Sequence, residues 1–351
     1  MKRAFTRPVV AAMAGYVPGE QPQDRRYIKL NTNENPYPPS PRVIAAIRAA
    51  VNDDLRLYPD PLANMLRDRA AAVYGLQREH ILVGNGSDEL LSMILRACVG
   101  AGDRVVFPYP TYSLYDTLVT LQEGQLVHVP YSDDFSLPAG LAEAQGRVTF
   151  VCHPNSPSGT PVAIELIRGL ARTVPGLLVV DEAYADFAET TALALVREFG
   201  NVIVLRTFSK SFSLAGMRIG LAFGGPDLIT ELLKIKDSYN VSRLGIVAAT
   251  AALEDYAWMQ ANVARIRRTR SDLIQGLGKR GFSVLPSQSN FVLARRPGQD
   301  QERTYLGLKS KGILVRYFPT PELRHALRIS VGTDEEIAAL LRALDEITLS
   351  P

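Results

Sequence analysis

Short apolar runs recur along the chain from residue 81 onward, and polar or amphipathic stretches separate them. They are ILVG at 81–84, RVVFP at 104–108, QLVHVPY at 125–131, RVTFVCHP at 147–154, GLLVVDEAY at 176–184, NVIVLR at 201–206 and IGLAFG at 219–224. Runs of this length, rich in β-branched residues, read as buried strands. Helical stretches such as DELLSMILRACV fit between several of them. The alternation predicts an α/β fold: a mainly parallel seven-stranded sheet with helices on both faces. The last two runs stand too close for an intervening helix, so that pair is expected to be antiparallel. SPRVIAAIRAAVNDD predicts an amphipathic helix with Val43, Ile44, Ile47 and Val51 on one face. Residues 1–39 read as irregular, broken by Pro18, Pro22, Pro36, Pro38 and Pro39. From about 227 to 279 the pattern is helical. The tail then carries three strand-like pieces, FSVLPSQSNFVLAR, GILVRYF and HALRISVG, and the helix DEEIAALLRALDEI. The expected division is an arm over 1–39, a large unit over 40–255 and a smaller α+β unit over 256–351.

Composition narrows the function classes. The chain has 351 residues, with 39 basic and 36 acidic side chains and a net charge of +3. This near balance suggests neither a nucleic-acid binder nor a membrane-surface protein. The densest basic run, RIRRTRS at 265–271, reads as a solvated helix face or an anion patch. Cys98 and Cys152 suggest no disulfide framework and read as small buried hydrophobes. The four histidines show no metal-ligand spacing, so no metal is expected. No apolar run reaches the roughly 20 residues that span a bilayer. The N-terminal MKRAFTRPVVAAMAGYVPGE reads as an arm and not a signal peptide, so a cytoplasmic location is expected.

Candidate chemistry gathers at the ends of the expected strands, where open α/β sheets bind ligands. VGNGSDELL sets a glycine-rich turn between strand and helix. Ser87 could cap that helix, leaving the N–H groups of Ser87 and Asp88 as an anion site; a plain helix cap is the alternative. A dinucleotide fingerprint would want a third glycine where Glu89 stands, so a nicotinamide cofactor is disfavoured. LLVVDEAYADF ends an apolar strand on Asp181, a charge that is costly there unless paired or used. It is either a salt-bridged structural residue or a functional one. RTFSKSFSLAGMRIG puts Lys210 in a loop of small and hydroxylated residues. Ser209 and Arg218 flank it, a hydroxyl and a guanidinium suited to phosphate. Lys210 is either a solvated loop charge or a chemical group. Together these parts match what pyridoxal 5'-phosphate asks of a protein: an amine for its aldehyde, a carboxylate for its ring nitrogen, and donors for its phosphate.

Several segments carry a family resemblance. GNGSDE, YPTYSLY, CHPNSPSG, VDEAY and TFSKSFSLAGMRIG, in this order and spacing, resemble the fold-type-I pyridoxal-phosphate aminotransferases. GYVPGE, LNTNENPYPPS, RLYPDP, SYNVS, SNFVLAR and LRISVGT narrow the resemblance to the histidinol-phosphate aminotransferases, over about residues 15 to 345.

The resemblance implies a role for each matched residue. Lys210 would bind the cofactor's aldehyde and shuttle the proton. Asp181 would pair with the pyridine nitrogen, and Asn155 and Tyr184 with the ring hydroxyl. Tyr112 would stack on the ring. Gly86, Ser87, Asp88, Ser209 and Arg218 would surround the phosphate. Tyr58 would reach the phosphate of the neighbouring subunit, which implies a homodimer with shared sites. Arg328 would hold the substrate's anionic group, and Arg316 is the second basic residue expected where a substrate carries a phosphate. Tyr317 and Phe318 follow Arg316 where the family usually has an acidic or small polar residue. Tyr16 and Asn33 lie in segments the family uses to close the pocket. The implied reaction is amino transfer between L-histidinol phosphate and 2-oxoglutarate or glutamate, in histidine biosynthesis. An aromatic amino-acid aminotransferase and a threonine-phosphate decarboxylase are the alternatives.

Overall fold

A computed structural model of the protein describes residues 5–348. The first four residues of the N-terminal arm and the last three of the C-terminal unit lie outside the described residues. Seven strands form the larger sheet: β2 (Ile81–Gly84), β3 (Arg104–Tyr109), β4 (Gln125–Pro130), β5 (Val148–Cys152), β6 (Leu177–Asp181), β7 (Val202–Thr207) and β8 (Gly220–Gly224). Their order is β2-β8-β7-β6-β5-β3-β4. All neighbours run parallel except β8, which is antiparallel to both β7 and β2. The seven expected strands are therefore present, and the antiparallel pair follows from the short β7–β8 connection. The central strands β5 and β7 are buried along their whole length, as strands covered by helices on both faces must be.

The smaller sheet contains β1 (Ile28–Leu30), β9 (Ser283–Val284), β10 (Phe291–Arg295), β11 (Ile313–Tyr317) and β12 (Ala326–Ser330), in the order β1-β11-β12-β10-β9. Its β1 comes from the arm and pairs parallel with β11. The arm is thus not irregular throughout. Three residues carry too little pattern to announce a strand, and their partners lie far away in sequence. A short helix, Pro8–Ala12, precedes them.

Two other expectations change. The helix Pro41–Ala50 buries Val43 and packs Ile47 against the core. Ile44, one position round the helix from buried Val43, and Val51, which follows the helix end at Ala50, are exposed. The 265–271 run is a helix face solvated only in part: Arg265, Arg268 and Ser271 are exposed, while Arg267 and Arg270 are half-buried. It lies within the helix Tyr256–Gly278. There Arg265 sits 3.6 Å from the Tyr37 ring centroid, Arg267 donates to the carbonyls of Phe187 and Ala188, and Arg270 donates to that of Ser289. These arginines tie the helix to the arm and to loops beside both sheets. Among the described residues, no helix is long and apolar enough to cross a membrane.

Candidate active site

The sheet sets the site's geometry. Cys152, Asp181 and Thr207 end the adjacent strands β5, β6 and β7. Beyond those ends lies a cavity of about 230 Å³. Tyr16, Asn33, Ser87, Asp88, Tyr112, Asp181, Tyr184, Ser209, Lys210, Arg218, Arg316 and Arg328 all line it. Residues as distant in sequence as Tyr16 and Arg328 meet because the arm and the smaller sheet close over the strand ends of the larger one.

Asp181 is buried, and no ion pair involves it among the described residues. The salt-bridged alternative fits its neighbour instead: Glu182 pairs with Arg206 at 2.8 Å, and Asp186 joins them. Oδ2 of Asp181 accepts from Tyr115 Oη at 2.6 Å, and Oδ1 accepts from the Ala183 N–H at 3.1 Å. Burial outweighs these two donors and raises the carboxyl from 3.8 to about 6.

Lys210 is half-buried, and its Nζ donates to the Thr32 carbonyl at 3.3 Å. No carboxylate pairs with it among the described residues. Burial first, and then the positive charge of Arg328, push its amine down to about 8. A solvated loop charge would feel neither effect, so Lys210 is not one. Asn35 Nδ2 donates to the carbonyls of Lys210 and Ser211, which pins the lysine loop under the arm.

The anion cradle differs in detail from expectation. The helix Ser87–Cys98 starts on Ser87, and Gly86 takes the N-cap position with φ +81°. Ser87 therefore does not cap it. Glu89 reaches back to the Asn85 N–H and also accepts from Asn240, which turns it away from the cavity. The φ of Gly86 favours glycine, and a Cβ there would lie 2.6 Å from a guanidinium nitrogen of Arg218 and so shift that side chain. Arg218 donates to Ser209 Oγ at 3.3 Å and pairs with Asp88 at 3.3 Å. Two cavity residues that are not glycine hold positive φ, Asn33 at 56° and Arg218 at 54°, and Ser213 in the lysine loop does so at 60°. Each such residue stores of order 1–2 kcal/mol of strain, and strain of this kind gathers at functional sites.

Tyr112 Oη donates to Asp88, and Asn33 Nδ2 donates to Tyr184 Oη at 3.0 Å. Burial pushes the Tyr184 phenol up to about 12. Arg316 and Arg328 stand directly opposite each other across β11 and β12. Arg328 donates to the Asn31 carbonyl and Ser156 Oγ, and its Nε is buried without a partner. Arg316 donates to the Val17 and Pro18 carbonyls at 3.0 Å each. Both guanidinium groups lie against the Phe318 ring, at 5.2 and 5.6 Å.

Gly86, Asn155 and Tyr58 do not line the cavity. Asn155 is buried behind it, accepting from Thr111 and donating to Ser158. Tyr58 is largely exposed and stacks on Tyr239 at 4.2 Å. Sequence reasoning missed Tyr115, Thr32, Glu34, Ser156 and the cavity-lining place of Phe318. Tyr115 ends the motif YPTYSLY, yet nothing in that motif sets it apart from its neighbours. Glu34 is inside a motif already noted.

Comparison with known proteins accords with this arrangement. Residues 25–344 match the family described as aminotransferase class I and II. Histidinol-phosphate aminotransferase 1 of Trichormus variabilis is 47% identical over 345 residues, 98% of this chain and 99% of that protein. Histidinol-phosphate aminotransferase of Geotalea daltonii is 48% identical over 342 residues, covering 97% and 99%. The crystal structure of histidinol-phosphate aminotransferase from Sinorhizobium meliloti in complex with pyridoxal 5'-phosphate superposes with a TM-score of 0.90 at 30% identity, covering 99% of both chains. An aspartate aminotransferase from Thermus thermophilus, 20% identical with a TM-score of 0.84, shares the fold. The fold is that of the fold-type-I aminotransferases, and the chain belongs to the aminotransferase class I and II family.

Proposed function

We propose that this enzyme transfers an amino group between L-histidinol phosphate and 2-oxoglutarate or glutamate, using pyridoxal 5'-phosphate, in histidine biosynthesis. The observation that carries the substrate reading is the Arg316–Arg328 pair. Like charges directly opposite in a sheet are destabilising. No carboxylate pairs with either arginine among the described residues, and both face the cavity that holds Lys210 and Asp181. A phosphate dianion would relieve that repulsion and suits guanidinium geometry. The names of the relatives support the same substrate.

The residues present fit the cofactor. Ser87 and Asp88 at the start of the helix Ser87–Cys98, the Ser209 hydroxyl and the Arg218 guanidinium together line one end of the cavity, a set of donors suited to a phosphate. Ser87, Asp88, Ser209 and Arg218 would hold the phosphate, chiefly through backbone N–H at the first two. Tyr112 would face the ring and Tyr184 would serve its hydroxyl, with Asn155, held behind the cavity by Thr111, Pro110 and Ser158, reaching that hydroxyl by turning its amide from Ser158. When bound, pyridoxal phosphate supplies an aldehyde for the substrate amine and a ring that takes up electrons as the Cα proton leaves. Asp181 keeps a proton at the ring nitrogen. Lys210 Nζ, with its basicity lowered toward neutral pH, takes the Cα proton and returns it on the far side of the transfer. Arg328 binds the substrate's anionic end, and Tyr16, Asn33 and the arm exclude water.

On this reading the chain divides into a pocket-closing arm over 1–39, a cofactor domain over 40–255 and a small domain over 256–351. It works in the cytoplasm as a homodimer, with Tyr58 reaching the partner's cofactor phosphate. The segment 51–65 supports this by exposing Val51, Leu55, Leu57, Tyr58, Leu62 and Met65. A second reading, aromatic amino-acid transamination, is favoured by the Phe318, Tyr16 and Tyr112 rings and by Arg316 holding arm carbonyls. Amino transfer to 2-oxoglutarate from histidinol phosphate, phenylalanine and threonine phosphate separates the readings. Preference for histidinol phosphate is expected. Preference for phenylalanine, or carbon dioxide release from threonine phosphate, would overturn the proposal.

A further inference from the structure

Tyr115 is fully buried and absent from the cavity wall, yet it holds the carboxylate at the centre of the site. It stands in the first turn of the helix Leu114–Leu121. Its ring stacks on Phe150 at 4.6 Å and meets Phe107 edge-on at 5.6 Å, so the phenol oxygen has one available position. That position is 2.6 Å from Oδ2 of Asp181. A carboxylate offers about four lone-pair sites. Tyr115 and the Ala183 N–H take one on each oxygen, which leaves the remainder for the cavity.

We infer that Tyr115 is a positioning residue: it keeps Asp181 ionised and aimed at the ring nitrogen of the cofactor. The inference rests on the cofactor reading above. Its physical basis is that, among the described residues, no cation is paired with Asp181 to do the same work. The titratable groups facing Asp181 are Cys152 at the end of β5, Asp88 on the helix Ser87–Cys98, Tyr112, Glu182 and Tyr184, and Lys210 lines the same cavity. Asp88 and Glu182 both favour the neutral acid, as burial does. Hydrogen-bond donors favour the anion, and among the described residues Tyr115 is the side chain that donates to Asp181. Losing it must therefore move the carboxyl upward, into the range where an aminotransferase works.

The test uses Tyr115→Phe, which keeps the ring and its stacking. The dissociation constant of pyridoxal phosphate is measured against pH by fluorescence, in the unmutated protein and the variant. Affinity should weaken by about 10-fold or more at neutral pH, and the acid limb should move up by about one to two pH units, the size of one charged hydrogen bond. In the Asp181→Asn background, the same substitution should have no further effect on affinity. In the unmutated protein, the ring-carbon resonance of Tyr115 should titrate with the midpoint of Asp181, a measurement that needs no variant to fold. An unmoved acid limb, equal losses in both backgrounds, or a Tyr115 resonance blind to Asp181 would overturn the assignment. Failure of the unmutated protein to bind pyridoxal phosphate would instead overturn the cofactor reading, with the resonance still deciding the Tyr115–Asp181 link.

Discussion

Replacing Asp181 with Asn should stabilise the cofactor-free protein at alkaline pH while it abolishes the chemistry. In the folded state the carboxyl is raised from 3.8 to about 6. A folded-state value above the unfolded one means that the native protein binds more protons between those limits. Stability contributed by this group is therefore full below about 3.8 and falls as pH rises to about 6. The difference of about 2 pH units corresponds to roughly 3 kcal/mol lost above pH 6, at about 1.4 kcal/mol per unit. Asn escapes that loss but cannot accept from both Tyr115 and Ala183 as a carboxylate does, which costs about 1–2 kcal/mol at all pH values. The net expectation is a gain of about 1–2 kcal/mol at pH 8 that vanishes or reverses near pH 4.5. The pH-dependent part is the sharper quantity, because the hydrogen-bond loss cancels from it. Urea unfolding of both proteins at pH 4.5 and 8, at one fixed protein concentration, measures it. A stability difference that does not change with pH would mean that Asp181 is not a strained buried anion, and the account of the site's electrostatics would fail.

Three further outcomes are expected. Borohydride reduction of the cofactor-loaded enzyme should label Lys210, and amine-reactive labelling of Lys210 in the cofactor-free protein should have its midpoint near 8 and not 10.5; a label on another lysine sinks the assignment. Arg316→Ala should damage turnover of histidinol phosphate by about 10–150-fold, the worth of one charged hydrogen bond, and spare phenylalanine. Arg328→Ala should damage both, and equal small effects of Arg316→Ala on the two substrates would shift the reading to the aromatic enzyme. Gly86→Ala should weaken pyridoxal phosphate binding by at least about 10-fold, since its Cβ would displace Arg218 in addition to roughly 1 kcal/mol of backbone strain. Unchanged affinity in that variant would show that the cradle is not the phosphate site.

The larger sheet was legible because its inner strands are covered on both faces. Such strands must be apolar throughout, so β5, β6, β7 and β8 announced themselves as unbroken runs, whereas the exposed edge strand β4 showed only an alternating pattern, and the β7–β8 spacing alone fixed that pair as antiparallel. The central chemistry was legible for a related reason. Asp181, Lys210 and Arg218 are charges set against apolar strands or small-residue loops, where local sequence offers no solvation for them. What stayed hidden depends on contacts between distant segments. β1 exists because β11 lies beside it, with Ile28 opposite Ile313. Ser87 looks like a cap until the positive φ of Gly86 moves the helix start by one residue. Asp181 and Glu182 are adjacent and chemically alike, yet the pleat turns one toward Arg206 and the other toward the cavity. Tyr115 gave no signal of its own, since its partner is 66 residues away and its role is one oxygen atom placed by two aromatic contacts. Residue types and spacing determined which chemistry the chain could host. Only the packing of arm and small sheet over the strand ends decided which charges are left unpaired, because desolvation and partner distance are properties of the folded chain.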